Sequence, residues 1–510
     1  MPLKSPHPDI QIPQTDILSY LFPPGSPPST SPLWVDSADP SISLSPAQLL
    51  SLVKRLALGL ERTGIAKGEV TMVPVTHFGI VGAGYAFSAA NPGYTLPEMI
   101  HQICNTGARL ILAHPSLIHT AIAATRAIAS AGGPEIEIFQ VSDSFCQPYL
   151  GVWDWMRLAA SEDDGALYSW PKLSPAQSMK THYNLIANVE QMIAARFHEM
   201  PAGELRGQYQ ERWIGFLPLY HAYGQLHTML MCLKLSIPVF IMKSFKFPEF
   251  LRCIQAQRIT SLQLAPPILV MLAKRPETKE FDLSSVKDVL CGAAPLSREL
   301  QNECMARFGF NVVQGWGMTE LTCGAINGPG GRKDDTGSVG ELPPNFECKL
   351  LDEEGREVGT GEPGEVYIRG PNVCLGDVAA VNEKGCFWIV DRKKELIKVN
   401  ALQVAPAELE SVLLENKDVA DAAVVGITLH IEEWPRAYVV LQAHARGKVK
   451  PEEIQSWITS RVAKHKWLVG GVSFVDEVPR LQSGKIQRKV VKEWAKSDAK
   501  MLESQTKARY

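Results

Sequence analysis

Residues 286–320, VKDVLCGAAPLSRELQNECMARFGFNVVQGWGMTE, hold the pattern that decides the fold of this chain. Two apolar, β-rich runs, VKDVLCGA and NVVQGWG, flank a helical stretch, LSRELQNECMARFG. Each run ends in small residues, which permit tight turns. A strand, a helix and a second strand in this order favour parallel pairing, with the helix packed against the sheet.

The same alternation begins at about residue 108. The runs RLILA, WIGFLPL, IPVFIM and ITSLQLA alternate with helical stretches such as HYNLIANVEQMIAARF. Near the N-terminus, AQLLSLVKRLALGLER places Leu49, Val53, Leu56 and Leu60 at helical spacing, which predicts a helix with one face against the core. We therefore predict an α/β fold of parallel sheets with helices on both faces.

Two changes in composition and sequence pattern along the chain predict the domain organisation. After residue 330 the chain is rich in Gly and in hairpin signals, which favours a β-rich subdomain over about 330–391. From PAELESVLLENKD onward, with Pro406 in the first turn of a helix, a compact α+β unit is expected. The predicted domains are a large N-terminal domain, 1–391, and a small C-terminal domain, 392–510.

Composition excludes several classes of partner and location. The chain holds 51 Lys and Arg against 54 Asp and Glu, for a formal net charge of −3, so a nucleic acid partner is not expected. No run of about 18 apolar residues predicts a membrane span, and the start has no signal-peptide pattern. The 10 cysteines form no close CxxC pair, which indicates free thiols in a reducing compartment. We expect the cytoplasm; the peroxisome is the alternative, although the end, KARY, is not an SKL-type signal.

Two strand ends carry candidate nucleotide-binding residues. In QGWGMTE, Trp316 offers a flat face for an adenine, Thr319 a hydroxyl for a phosphate, and Glu320 a carboxylate for Mg²⁺. In CGAAPLS the small residues suit a backbone wall of the same pocket. Taken alone, either motif also fits an ordinary packed turn. The candidates are Gly292, Ala293, Gln314, Gly315, Trp316, Gly317, Met318 and Thr319 for the nucleotide, with Glu320 for the metal.

Several motifs in the right order together resemble one family. They are QGWGMTE, DRKKELIKVNALQVAPAELE, VPRLQSGKIQRK, LPLYHAYG, CGAAPLS and GEPGEVYIRGP. This set is similar to the adenylate-forming superfamily, most of all to the fungal 4-coumarate, aryl and acyl-CoA ligases. The resemblance extends from about residue 12 to about residue 500.

The resemblance implies an ATP-dependent ligase with a mobile C-terminal domain. A carboxylic acid would react with MgATP to give acyl-AMP and pyrophosphate, and coenzyme A would then displace AMP. The small domain would rotate between these two steps. The sequence does not identify the acid, for which an aryl or medium-chain group is expected, nor the oligomeric state. A carrier-protein thiol is the alternative to coenzyme A.

The resemblance also implies catalytic roles for four residues. Lys485 in SGKIQRK would bridge the acyl carboxylate and the α-phosphate. Lys398 and Gln403 match residues that face the nucleotide and the acyl group. His221 in LPLYHAYG would lie between the acyl pocket and the carboxylate; a histidine beside aromatic residues is otherwise a packed side chain.

Four further residues are implied near the domain junction. Asp377 is the candidate for the ribose hydroxyls, and Asp391 is a supporting carboxylate. Arg392 would bind the ribose or a phosphate, and Lys394 falls at the hinge position. Without the other motifs, the charged run DRKKELIK would fit a solvated linker.

The chain departs from the family at one central place. Similar enzymes carry a Ser/Thr/Gly-rich phosphate loop just before a THYNL-like helix, and WPKLSPAQSMKTHYNL holds no such loop. Residues are predicted to be missing between Ser178 and Met179, near Val73, and between RGP and Asp377. Ala401 replaces a common glycine.

Three hypotheses follow from this departure. The first is an acyl-CoA ligase gene represented by an imperfect or alternatively spliced product. The second is a ligase with a replacement loop, in which Lys172 or Lys180 supplies charge. The third is a non-catalytic homologue that binds an acyl ligand or a partner. Without the loop, loss of several donors worth about 3 kcal/mol each would cripple adenylation.

Overall fold

The structure is a computed structural model. It describes residues 2–63, 74–90, 92, 94–141, 148, 150, 152–170, 181–197, 211–328, 330, 333–352, 354–371, 377–392, 395, 397–399, 402–429, 432–480 and 484–507. Within those ranges the helices are α1 (Ile17–Leu21), α2 (Pro46–Thr63), α3 (Pro74–Gly82), α4 (Leu96–Thr106), α5 (Ile118–Ser130), α6 (Glu162–Leu167), α7 (His182–Phe197), α8 (Ala222–Gly224), α9 (Cys232–Leu235), α10 (Phe247–Gln257), α11 (Pro266–Lys274), α12 (Arg298–Phe308), α13 (Pro406–Glu415), α14 (Pro451–Thr459) and α15 (Arg488–Lys507). A π-helix, Gln225–Met231, separates α8 from α9.

The strands alternate with these helices in the first half of the chain and cluster after residue 340. They are β1 (Leu3–Lys4), β2 (Trp34–Asp36), β3 (Ser43–Leu44), β4 (Leu110–Ala113), β5 (Glu137–Gln140), β6 (Trp153–Asp154), β7 (Trp213–Gly215), β8 (Val239–Ile241), β9 (Ser261–Leu264), β10 (Asp288–Cys291), β11 (Asn311–Gly317), β12 (Gly324–Asn327), β13 (Glu347–Leu351), β14 (Gly364–Arg369), β15 (Asp377–Val381), β16 (Phe387–Arg392), β17 (Ile397–Val399), β18 (Leu402–Val404), β19 (Val419–Leu429), β20 (Glu432–Leu441) and β21 (Val472–Phe474).

By their internal contacts the residues form two units. The first comprises Met1–Ile10, Gln191–Ile214 and Phe245–Tyr510, and the second comprises Gln11–Glu190 and Gly215–Ser244. This division does not test the predicted boundary between residues 391 and 392, which stays a prediction.

The first unit contains the parallel strands predicted for residues 286–320. β9, β10 and β11 pair in parallel, with Val289 beside Val312, and β12 adds an antiparallel neighbour to β11. The connecting helix α12 begins where the hydroxyl of Ser297 accepts a hydrogen bond from the Leu300 N–H. The carboxyl ends of β9, β10 and β11 therefore lie at one edge of the sheet.

A second sheet of the first unit confirms the predicted β-rich subdomain. Its strand order is β1-β13-β14-β15-β16, and its internal pairs are antiparallel. Phe346 and Phe387 are each 1% exposed in the core beneath it. Buried residues alternate with partly buried or exposed ones along β14, the period-two pattern of a strand rather than of a helix.

The last part of the first unit confirms the predicted small α+β fold. β19 and β20 form a long antiparallel pair, and β21 joins β20 in parallel. α13, α14 and α15 accompany this sheet, and Pro406 stands at the start of α13 as expected. Val424 and Val439 lie fully buried in one core of this part, while Val425 and Val491 lie in the other.

The second unit also contains parallel strand pairs. β4, β5 and β6 are parallel, and β8 pairs in parallel with β2. The predicted N-terminal helix is α2, and its four predicted core residues are buried: Leu49, Val53, Leu56 and Leu60. Across the described ranges, no helix combines the length and the apolar character that a membrane span needs.

Candidate functional site

A cavity of about 490 Å³ lies in the first unit, beside the carboxyl ends of β10 and β11. Its walls include the segments that follow β9 and β10, the end of β11, one side of α13, and the chain at the start of α15. The volume is within the range of small-molecule sites, about 300 to 1,000 Å³. Apolar side chains and ionisable groups share the lining, so the cavity suits a ligand with both characters.

The end of β11 supplies four of the predicted residues to the cavity: Gln314, Gly315, Trp316 and Gly317. Gln314 is buried, and its side-chain amide donates to the Gln301 Oε1 at 2.7 Å and to the Leu296 carbonyl at 3.2 Å. These bonds fix the segment after β10 against β11. Trp316 is partly buried against the core of the β-rich sheet.

The glycines of this segment have a structural cause that the sequence did not show. A side chain at Gly315 would collide with the Asn327 amide, and one at Gly317 would collide with the Cys323 carbonyl. Both obstacles lie on or just before β12, the antiparallel neighbour. Packing of β12 against β11 therefore requires glycine at both positions, whether or not a nucleotide approaches the backbone there.

The segment after β10 supplies Ala293 and its neighbour Ala294 to the cavity wall. Ala293 has a φ of 70°, which a residue with a side chain rarely adopts. Gly292 is buried and donates its N–H to the Leu264 carbonyl at 3.0 Å, so it supports the wall without being part of it.

Three predicted residues lie just past the cavity rather than in its lining: Met318, Thr319 and Glu320. Met318 packs partly against the β-rich core. Thr319 and Glu320 begin a short 3-10 turn, Thr319–Leu321, and both are exposed. A ligand that extends beyond β11 would reach them, and a ligand confined to the cavity would not.

Lys485 is half-buried and lines the cavity together with the end of β11. It follows Gly484, whose φ is 83°. A Cβ added to Gly484 would lie 3.0 Å from the Ala265 Cβ, at the end of β9. The structure therefore brings Lys485 to the sheet edge that holds the predicted residues of β10 and β11.

Two ion-pair groups in the cavity wall were missed by the sequence analysis. The Arg488 guanidinium donates to the Glu410 carboxylate at 2.6 and 3.0 Å and lies 2.5 Å from Glu395. Arg480 donates to both carboxylate oxygens of Asp421, at 2.9 and 2.7 Å. The partners are far apart in sequence, so no local motif predicts these pairs. The one sequence signal is Glu410, a charged residue on the buried side of α13, where a carboxylate needs a partner.

The structure brings together two further predicted pairs as cross-strand neighbours. Lys398 on β17 stands opposite Gln403 on β18, and Asp377 on β15 stands opposite Arg392 on β16. The side chains of these four residues are not among those described. Asp391 is opposite Val378, and its side chain is likewise outside the described set, while Lys394 lies outside the described residues altogether.

His221 lies in the second unit, directly before α8. Its Nδ1 accepts a hydrogen bond from the Tyr223 N–H at 3.4 Å, which caps the short helix. Burial, followed by the nearby Tyr94, raises the pKa of the neighbouring Tyr220. The acyl-pocket role of His221 stays a prediction.

The predicted gaps fall on parts of the chain that are not described. The Ser178–Met179 junction with Lys172 and Lys180, the region just before α3, the segment before Asp377, and Ala401 lie outside the described residues. The helix expected to begin at Thr181 of THYNL is described, and it begins one residue later, at His182. The Thr181 hydroxyl accepts a hydrogen bond from the Asn184 N–H at 3.2 Å and so caps the start of this helix.

Among the described residues, no cluster of three His, Cys, Asp or Glu side chains could hold a metal ion. Mg²⁺ at nucleotide sites needs fewer protein ligands, because one or two carboxylates act together with substrate phosphates and water. A single exposed carboxylate such as Glu320 therefore fits Mg²⁺ that arrives with a nucleotide.

Comparison with known proteins matches two segments of the chain to one enzyme family. Residues 175–376 match the family model described as AMP-binding enzyme, and residues 408–485 match the AMP-binding enzyme C-terminal domain. The chain is 32% identical to the acyl-CoA synthetase ACTT5 of Alternaria alternata, over 91% of this chain and 88% of that protein.

Two other comparisons cover nearly the whole chain. The phenylacetyl-CoA ligase epaB of Aspergillus niger is 31% identical over 96% of this chain and 98% of its own. Its match extends over 548 residues, more than the 510 of this chain, so that relative holds residues without a counterpart here. The crystal structure of ATP-bound MatB from Rhodopseudomonas palustris superposes with a TM-score of 0.79 at 22% identity, over 94% of this chain and 99% of that chain.

Proposed function

The chain belongs to the AMP-binding enzyme family, and on this premise we propose that it is an ATP-dependent acid–thiol ligase of the acyl-CoA synthetase type. The proposed substrates are a carboxylic acid, ATP and coenzyme A. One observation carries the proposal: a single cavity contains both Lys485 and the end of β11. A cation and a strand-end pocket are what activation of a carboxylate on a nucleotide requires.

In the proposed first step, a carboxylate oxygen attacks the α-phosphorus of ATP. The bond between the α- and β-phosphates breaks, and pyrophosphate leaves. Negative charge grows on the phosphate oxygens, and the Lys485 ammonium would stabilise it as a compact point charge. Trp316 and the backbone of Ala293 line the same cavity and would hold the adenine.

In the proposed second step, the thiol of coenzyme A attacks the acyl carbon of acyl-AMP. A carbon–sulfur bond forms, the thiol proton is released, and AMP leaves with the former carboxylate oxygen. No charge develops on pyrophosphate here, so Lys485 would be dispensable for this step. Lys398 and Gln403 are proposed to face the nucleotide and the acyl group, and His221 is proposed to lie between the acyl pocket and the carboxylate. Asp377 is proposed for the ribose hydroxyls, Arg392 for the ribose or a phosphate, and Lys394 for the hinge.

Mg²⁺ would neutralise phosphate charge when it arrives with ATP. Glu320, exposed just past β11, is the proposed protein ligand. Its carboxylate would hold the ion through a direct or water-mediated contact.

The acid is proposed to be aryl or medium-chain. Pro266, Val270 and Met271, from LAPPILVMLA, give the cavity an apolar wall. Phenylacetate, named for one relative, is the first acid to try. The cytoplasm is the proposed location, since the described cysteines are thiols rather than disulfides. Residues 392–510 are proposed to be the mobile domain.

A specific observation favours a second candidate, an impaired homologue that binds an acyl ligand without adenylating it. No Ser/Thr/Gly-rich loop precedes THYNL. The match to the phenylacetyl-CoA ligase extends over 548 residues, more than the 510 of this chain, which supports this candidate. If the phosphate loop is among the residues without a counterpart here, adenylation would lose several donors, each worth about 10² to 10³ in rate.

Pyrophosphate exchange with a panel of aryl and medium-chain acids separates these candidates. A ligase gives acid-dependent exchange, and Lys485→Met should reduce it about 10²-fold or more because it removes the cation at the α-phosphate. Lys489→Met is the matched control, since Lys489 is exposed and does not line the cavity, and it should leave the exchange rate unchanged.

Preformed acyl-AMP with coenzyme A tests the second step alone. We expect thioester from both the unaltered chain and Lys485→Met. Thioester without pyrophosphate exchange would favour the impaired homologue, and failure of both reactions with every acid would reject the ligase.

A further inference from the structure

Arg480 is bonded to the residues on both sides of Lys485 in the Lys485 loop, residues 484–486. Arg480 and Ile486 form an antiparallel bridge across the loop. The Arg480 Nη1 donates to the Gly484 carbonyl at 2.6 Å, and the Gln487 side-chain amide donates to the Arg480 carbonyl at 3.1 Å. Arg480 therefore contacts Gly484, directly before Lys485, and pairs with Ile486, directly after it.

The rest of the same guanidinium is anchored on the sheet. Its Nε and Nη2 donate to the two oxygens of Asp421, at 2.9 and 2.7 Å. Asp421 stands on β19, and its Oδ1 also accepts the Ala422 N–H at 2.8 Å. The Arg480 and Asp421 side chains are 20% and 28% exposed, so the fork is largely shielded from water. A planar fork of this kind resists rotation more than a single-point ion pair does.

The loop is also pressed against the sheet edge. The space beside Gly484 is filled by Ala265, and both Arg480 and Asp421 reach the cavity wall together with Lys485. A shift of the loop would therefore change the position of Lys485 in the cavity.

We infer that Arg480, held by Asp421, is a positioning residue that sets where the Lys485 ammonium stands. It acts through the Gly484 carbonyl and does not need to touch the nucleotide. The effect on catalysis rests on the proposed function, whereas the positioning of Lys485 by Arg480 does not.

The test measures the reactivity of Lys485 directly, so it does not depend on activity. The full chain is acetylated at neutral pH with N-hydroxysuccinimidyl acetate, and modification of Lys485 is followed by peptide mass spectrometry. In Arg480→Gln and in Asp421→Asn the loop loses one side of the fork, and Lys485 should react at least about threefold faster. The double variant should react no faster than either single variant, because both remove the same link.

Asp498→Asn is the matched control. Asp498 accepts from Nε and Nη2 of Arg436 at 2.9 and 2.5 Å in the same part of the chain, away from the cavity. It should lower thermal stability while leaving Lys485 reactivity unchanged. Equal acceleration in this control would show general loosening, and unchanged Lys485 reactivity in Arg480→Gln would overturn the inference.

Pyrophosphate exchange then separates the two claims. If exchange occurs, Arg480→Gln should lower its kcat by about tenfold with little change in the KM for the acid, and Arg480→Lys should not restore it, because lysine lacks the fork. If labelling shows the link but exchange is absent in the unaltered chain, the proposed function fails and the positioning of Lys485 stands.

Discussion

The backbone conformation of Gly484 determines where the next residue, Lys485, is placed. Its φ of 83° disfavours any side chain, and its open side faces the Ala265 Cβ at the end of β9. The loop therefore reaches the sheet edge only because this residue has no Cβ.

Gly484→Ala is predicted to displace Lys485 from the cavity. The left-handed conformation costs about 1 to 2 kcal/mol for alanine, and the added Cβ would lie 3.0 Å from Ala265, closer than carbon atoms normally pack. Pyrophosphate exchange should fall about tenfold or more. Gly447→Ala is the control, since its φ is 72° but nothing lies within 4 Å of an added Cβ. If both variants lose activity equally, contact with Ala265 does not matter.

The residues of the site were predictable from the sequence to different degrees. The end of β11 and Lys485 carry local motifs, and the structure places them in one cavity. The pairs Arg480–Asp421 and Arg488–Glu410 join positions about 60 to 80 residues apart, and only the packed fold reveals them. For Gly315 and Gly317 the motif was visible, but its cause, the close approach of β12, was not.

At the level of elements, α11 and α13 are linked by one lysine. The Lys274 ammonium at the end of α11 donates to the Leu414 carbonyl at 2.7 Å and to the Val419 carbonyl at 2.9 Å. The Leu414 carbonyl lies in the last turn of α13, where helix carbonyls lack partners and attract cations, and the Val419 carbonyl lies at the first residue of β19. Burial lowers the pKa of Lys274. This contact steadies the helix whose other side lines the cavity.

Lys274→Met should therefore lower the free energy of unfolding by about 1 to 3 kcal/mol, because the partly buried Leu414 carbonyl loses its donor at 2.7 Å. The Val419 carbonyl keeps the longer bond from the Gln442 side-chain amide, at 3.5 Å. Lys279→Met, five residues after the end of α11 in a short 3-10 turn, should change stability by less than about 0.5 kcal/mol because Lys279 is exposed. Urea titration of both variants measures the difference. Equal stability of the two would mean that water replaces the lysine at no cost.

Element types were predictable where the periodicity was strong. α2 buries the four leucine and valine positions expected from its spacing, and β9 to β11 pair in parallel as the alternation predicts. The π-helix at Gln225–Met231 was not foreseen, because it differs from an α-helix only by hydrogen bonds that composition does not determine.

At the scale of the whole molecule, buried thiols make stability sensitive to alkaline pH. Burial raises the pKa of Cys253, Cys304 and Cys348 from 9.0 to about 12, and that of Cys291 well above 9.0. Between these values the folded state keeps protons that the unfolded state has released. Stability should therefore be fully present below about pH 9 and fall as pH rises towards about 12.

Urea unfolding at a series of pH values measures this slope. Cys253→Ala should make the alkaline decline shallower, since one buried thiol no longer distinguishes the two states. Cys104→Ala should leave the slope unchanged, because Cys104 is exposed. A slope that is the same in all three proteins would show that these thiols do not govern alkaline stability.

The most direct test of the central claim is a crystal structure with a non-reactive phenylacetyl-AMP mimic, phenylacetyl sulfamoyl adenosine. We predict that its adenosine lies in the cavity between Ala293 and Trp316, with the Lys485 Nζ within hydrogen-bond distance of the sulfamate. A mimic bound elsewhere in the chain, or one bound in this cavity with Lys485 turned away from it, would contradict the account.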